Sequence, residues 1–197
     1  MRKGGFHVFM ILLSVALVAA IAMPVAMAKP KLFQKSDDSG KEDEPEKFLP
    51  DYDKLTEGSD SADWVYFPVG TLKNYKSVMV KPFATNAVEE HQDEAESAAK
   101  VGKKYLDQWL KKQGFNLVES GAEIVFEGNV FDAWEPSGGA RMWGGWMASP
   151  GTGLEVMAKD SSGKIVVEIR HKSRGSTIKD SVENGLEEIA KALSKAK

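Results

Sequence analysis

The chain has 197 residues, with 26 basic against 29 acidic side chains, a formal charge of −3 and no cysteine. The missing thiol excludes disulfides, thiolate metal sites and cysteine nucleophiles. The slightly acidic balance argues against a general binder of nucleic acid, and the length suits one domain around one core.

The first element in chain order is a leader. Arg2 and Lys3 precede an apolar run over 9–23 that only Ser14 interrupts. Pro24 ends the helical tendency, and Ala26 and Ala28 stand at −3 and −1 of a cut after Ala28. This pattern predicts a signal peptide over 1–28 and a periplasmic or secreted destination. The run is too short and too alanine-rich for a comfortable membrane span. Cleavage lowers the formal charge to −5, because the leader holds two basic residues and no acids. Without cysteine, the cut offers no site for a lipid anchor. Residues 29–47 read as a disordered linker, since the stretch from Gln34 to Lys47 has no apolar side chain to offset the entropy of ordering.

A single α/β domain of the α+β kind is expected over 48–197. Trp64-Val65-Tyr66-Phe67-Pro68 should lie extended against it, and Ser77–Phe83 is a short strand ending near Pro82. A helix follows, with Asn86 and Glu89 at capping-box spacing and a buried stripe of Ala95, Ala98, Gly102, Tyr105, Leu106 and Trp109. Acids gather at its start and lysines at its end, matching the helix dipole, and Gly114 stops it. Phe115–Val118 and Ala122–Trp134 are the next strands, the second with Ile124, Phe126 and Val130 on one face. A loop over 136–153 leads to a hairpin, Leu154–Lys159 and Lys164–Lys172, turning at Asp160-Ser161-Ser162-Gly163. The last helix, Ile178–Ala196, has Ile178, Val182, Leu186, Ile189 and Leu193 at helical spacing, and Thr177 with Asp180 forms its capping box. Gly102 and Gly185 lie on or beside the apolar stripes, where close packing would offset the cost of glycine. The expected architecture is a mixed, largely antiparallel sheet with two main helices packed on it.

Three segments carry a resemblance. They are Phe48-Leu49-Pro50-Asp51-Tyr52-Asp53-Lys54-Leu55, Tyr75-Lys76-Ser77-Val78-Met79-Val80-Lys81-Pro82, and the run from Gly138 through Arg141, Gly144, Gly151 and Gly153-Leu154-Glu155-Val156 to Asp160-Ser161-Ser162-Gly163-Lys164-Ile165-Val166. From Phe48 onward the chain resembles bacterial envelope proteins grouped as domains of unknown function, many of them lipoproteins. The resemblance implies an α/β periplasmic fold like the small accessory domains of envelope assemblies. It brings no catalytic residues, and the chain departs from it by lacking the lipid-bearing cysteine.

Catalytic signals are sparse. After the leader only His91 and His171 remain; the first reads as a solvated helix-start residue and the second as a satisfied edge histidine. Neither accompanies a nucleophile elbow, and His91-Gln92-Asp93 is too thin for a metal site. Glu127, Asp132 and Glu135 lie on or near one strand and could serve a hydrolase as paired carboxylates.

The strongest functional lead is the run from Trp134 to Met147, in which Trp134, Arg141, Met142, Trp143, Trp146 and Met147 accompany four glycines. Tryptophan and arginine are common anchors at interfaces, methionine adapts to irregular partners, and glycine lets the backbone bend. These rings either fold back over an open end of the sheet or meet a protein partner, a membrane surface or an apolar ligand. The expectation is a non-enzymatic envelope binding or accessory protein that docks this loop on an envelope protein. It needs no cofactor and no metal, and binds no nucleic acid. Peripheral membrane contact is compatible with the loop, and open sheet edges allow a homodimer. The alternatives are a carrier of an apolar or lipid-like molecule and the carboxylate hydrolase.

Overall fold

The computed structural model describes residues 47–58, 62–67, 70–136 and 148–197. The expected leader, 1–28, and the linker up to residue 46 lie outside the described residues. The described residues form a seven-stranded mixed sheet with two helices, an α+β domain as expected. In chain order the elements are β1 (Thr56–Glu57), β2 (Trp64–Tyr66), β3 (Val78–Val80), β4 (Ala84–Thr85), α1 (Gln92–Lys112), β5 (Ile124–Trp134), β6 (Gly151–Asp160), β7 (Ile165–Arg174) and α2 (Ile178–Lys195). The strand order is β1-β2-β7-β6-β5-β3, with β4 also on β5. Strands β3 and β4 run parallel to β5, and every other pair is antiparallel.

Both helices cover one face of the sheet, α1 on β5 and α2 on β6 and β7, and they pack on each other. The period-2 pattern of the strands sets that face. Ile124, Phe126 and Val130 of β5, Leu154, Val156 and Ala158 of β6, and Val167 and Ile169 of β7 are all fully buried. From α2 come Val182, Leu186, Ile189 and Leu193, also fully buried, each contributing about 1.5–3 kcal/mol by leaving water.

The helix glycines act as expected. A Cβ on Gly102 would lie 2.5 Å from the Phe83 ring, and one on Gly128 of β5 would lie 2.3 Å from the same ring. Phe83 is thus wedged between helix and sheet at two positions that have no side chain. On α2, a Cβ at Gly185 would meet Ser173 Oγ at 2.6 Å and Leu154 Cδ1 at 2.8 Å.

Several expectations need correction. Asn86 does not cap α1: its Oδ1 accepts from Asn129 Nδ2 at 2.6 Å, so the helix starts later, through a 3-10 turn at Glu89–His91. Leu110 takes the buried place expected of Trp109, which sits at the margin of the stripe with Lys112 Nζ 3.6 Å from its ring centroid. Phe115–Val118 makes only an isolated bridge, Leu117 to Val78. Strand β6 begins at Gly151, three residues before the expected Leu154, and β7 extends to Arg174. The box at the start of α2, by contrast, forms as expected: Thr177 Oγ1 accepts from the Asp180 backbone N–H at 3.1 Å, and the Asp180 carboxylate accepts from the Thr177 backbone N–H as well as from Ser176 Oγ.

Candidate functional site at the loop-bearing end of the sheet

The face of the sheet away from the helices is built from the other parity of the same strands. A segment over 48–55 covers part of it, with Leu49 and Leu55 buried on Met157 and with Trp64, Tyr66 and Ile165 around them. Beyond that cover lies the end from which the 137–147 loop departs, anchored by the pairing of Trp134 with Gly151.

This end has a glycine floor. The β5–β6 register slips between Val130 and Asp132, so Phe131 is an extra residue. Such a bulge re-aims side chains, and here Phe131 joins Asp132 and Trp134 on the open face. A Cβ on Gly153 would come within 2.5 Å of the Phe131 ring, and one on Gly151 within 1.9 Å of Trp134 Cζ2. Both rings therefore lie across β6 where its side chains are missing.

A basic row flanks the rings. Arg170, Lys172 and Arg174 alternate along β7 and share the open face. The Arg170 guanidinium stacks 3.6 Å from the Phe131 centroid; Lys172 Nζ lies 5.6 Å from Phe131 and 5.8 Å from Trp134; Arg174 lies 5.9 Å from Trp134. Cations over aromatic faces are attracted by the ring quadrupole. Arg170 is also the hinge to the covered part of the face. It pairs with the fully buried Glu155, which accepts from Tyr52 Oη at 2.7 Å and Asn129 Nδ2 at 3.1 Å. Burial and the Glu155 carboxylate push the Tyr52 hydroxyl up to about 12, so it stays a donor.

Of the expected site residues, Trp134 lies at the centre of this surface. Arg141, Met142, Trp143, Trp146 and Met147 lie outside the described residues, and the two ends of their loop meet at it. The sequence reading missed Phe131, Arg170, Lys172 and Arg174. The signal was present in the alternation of basic residues through Arg170-His171-Lys172-Ser173-Arg174, which puts three cations on one face.

The other candidates are held in pairs. His91 is half-buried, not simply solvated, with Nδ1 2.8 Å from Asp132 Oδ1; Lys172 Nζ is 3.5 Å from the other oxygen of that carboxylate. Glu127 sits between Lys81 Nζ at 2.7 Å and Lys159 Nζ at 2.9 Å, and the bonds from the two ammonium groups hold its carboxyl below the usual range. Glu127 faces Met157 and Asp132 faces Gly153. Four strand positions separate them, about 13 Å of backbone, against the about 5–10 Å used by paired glycosidase carboxylates. Glu135 is exposed.

His171 is not at a sheet edge as expected: β7 lies between β2 and β6, and the buried ring has partners on both sides. Its Nδ1 accepts from the Asp63 backbone N–H at 3.2 Å and lies 3.3 Å from Asp63 Oδ2, and its Nε2 lies 2.5 Å from Glu188 Oε2. The two uses of Nδ1 are alternatives, the first for neutral imidazole and the second for imidazolium. Burial opposes the charge, but Asp63 and Glu188 outweigh it and raise the pKa. With Glu57 and Trp64 these residues line a cleft of about 450 Å³. Among the described residues no group of three or more His, Asp or Glu side chains is placed to hold a metal, and no helix is long and apolar enough to cross a membrane.

No family model matches the chain, and no curated protein matches it. Some solved structures show a weak likeness to it. A PelC dodecamer from Paraburkholderia phytofirmans is 16% identical, with 63% of this chain and 96% of that chain covered and a TM-score of 0.43. A hypothetical protein from Chlamydia trachomatis is 10% identical over 50% of this chain and 72% of its own, with a TM-score of 0.33. A minor lipoprotein from Acinetobacter baumannii is 12% identical over 61% and 94%, with a TM-score of 0.28.

Proposed function

We propose that the chain is an exported, non-enzymatic accessory protein of the bacterial envelope that docks on a protein partner through the loop-bearing end of its sheet. One observation carries this reading: Phe131 and Trp134 lie across the bare floor of Gly151 and Gly153, with Arg170, Lys172 and Arg174 beside them, at the base of a loop rich in tryptophan and glycine. Rigid aromatic anchors ringed by cations are the kind of surface that concentrates binding energy. The leader over 1–28 supports export, and the polar linker would give the domain reach.

The test is crosslinking in living cells followed by affinity capture of wild type, Trp143→Ser/Trp146→Ser and Lys172→Glu/Arg174→Glu. The reading expects one protein recovered with wild type and lost from both variants while their thermal unfolding stays cooperative. Equal recovery with all three proteins would remove this end of the sheet as the docking site.

A further inference from the structure

Beneath the segment over 48–55, the sheet holds a carboxyl group that is incompletely satisfied. Glu168 on β7 is 1% exposed, and its Oε1 has no hydrogen-bond partner. It faces Met157 on β6 and Tyr66 on β2. The overlying segment supplies the Asp51 backbone N–H to this carboxyl. A buried oxygen without a partner is rare enough in folded proteins to require an account.

The neighbouring carboxylate is its opposite. Glu155, one row along the same face, is bonded by Tyr52, Asn129 and Arg170. The overlying segment thus has two polar anchors, Tyr52 on the fully bonded Glu155 and the Asp51 N–H on Glu168, whose Oε1 is left without a partner. It is also held by a small apolar cluster of Leu49, Leu55 and Met157, separate from the main core, and by Lys54 over the Tyr66 ring and Arg170 over the Tyr52 ring. Its internal turn is closed by long bonds, Lys54 N–H to Asp51 O at 3.4 Å and Leu55 N–H to Tyr52 O at 3.3 Å.

We propose that Phe48–Leu55 is a displaceable strap, closed by Tyr52 on Glu155 and loosened when Glu168 beneath it carries its charge. Opening would rehydrate Glu168 and uncover the apolar strip of Met157, Trp64, Tyr66 and Ile165. The charged and titratable groups around Glu168 are Asp51, Tyr52 and Lys54 of the strap, Tyr66 of β2, and Glu127, Glu155, Lys159 and Arg170 on the same face. Glu127 is paired with Lys81 and Lys159, and Glu155 with Arg170. Lys54 forms an ion pair with Asp51 at 3.0 Å. Loss of water raises the Glu168 pKa and Asp51 adds to the rise, against Lys54 and the Asp51 N–H. The sign follows from linkage: with the closed-state pKa above the open-state pKa, closure is favoured at low pH and weakens as pH rises through the closed-state value.

Native-state amide exchange of Lys54 and Leu55 in the full chain, corrected for intrinsic exchange and followed from about pH 4 to about pH 8, tests this. In wild type the strap opening constant should rise with pH, up to tenfold per unit, from the ordinary carboxyl range up to the closed-state pKa of Glu168 and then level off, while that of Val156 in the core stays flat. Glu168→Gln should abolish the slope. If that variant does not fold, Tyr52→Phe gives the answer. Losing one hydrogen bond to a carboxylate should raise opening roughly ten- to hundredfold at every pH and leave the slope intact. A pH-independent strap in wild type overturns the proposal, and so does a slope that survives in Glu168→Gln or disappears in Tyr52→Phe.

Discussion

Gly151→Ala is the sharpest probe of the surface under Trp134. The added methyl would sit 1.9 Å from Trp134 Cζ2 and 2.3 Å from Cη2, where ordinary contact needs at least 3.4 Å. The ring must therefore retreat by about 1.5 Å, and Trp134 shares its position on the open face with Lys172 and Arg174. Overpacking of this kind costs about 1–3 kcal/mol. Replacing a strand glycine returns about 0.5–1 kcal/mol of backbone entropy. The expected net effect is a loss of about 1–2 kcal/mol. In a Trp134→Ala background the clash is gone, so the same substitution should stabilise by about 0.5–1 kcal/mol. Urea unfolding of the four proteins in this cycle measures the sign change directly, and indole emission reports whether the ring has moved. If Gly151→Ala has the same effect in both backgrounds, the ring does not rest on β6 and the argument for a built aromatic platform fails.

Gly102→Ala should destabilise α1 although alanine is worth about 1 kcal/mol more in an open helix, because its methyl would press on Phe83 at 2.5 Å; the loss should shrink with Phe83→Leu in the same unfolding assay. Arg170→Met would leave the fully buried Glu155 without its cation, at a cost of about 3–5 kcal/mol in urea unfolding. His171 gives a pH dependence with a definite sign. Its folded pKa is raised above 6.5, so the stability it adds is fully present below 6.5 and disappears as pH rises through the folded value. Urea midpoints of wild type and His171→Gln should converge as pH rises from 5.5 to 8.5, and a constant gap would contradict the paired imidazolium.

Much of the fold could be read from short-range chemistry. Helix α2 has a clean apolar period, and its Val182, Leu186, Ile189 and Leu193 are all fully buried. The β6–β7 turn was equally local: Asp160 Oδ1 accepts from the Ser162 and Lys164 N–H groups, and Gly163 has φ +84°. What escaped was set by partners distant in sequence. Gly151-Thr152-Gly153 has poor strand propensity, yet it pairs with Ala133 and Trp134 because rings from β5 occupy the space its side chains would need. Asn86 looks like a helix cap until Asn129, 43 residues away, takes its oxygen. The candidate site was half legible. Trp134 and its loop stood out by composition, whereas the bulge at Phe131 and the row of Arg170, Lys172 and Arg174 required knowing which strands are neighbours.

The most direct test of the docking surface is site-specific photocrosslinking in cells, with a photoreactive side chain in place of Lys172 in one strain and of Lys112, at the exposed end of α1, in another. A partner adduct formed from position 172 and not from 112 is the predicted result. Adducts from 112 alone, or none from 172 in a folded and exported protein, would contradict the assignment of the loop-bearing end of the sheet as the working surface.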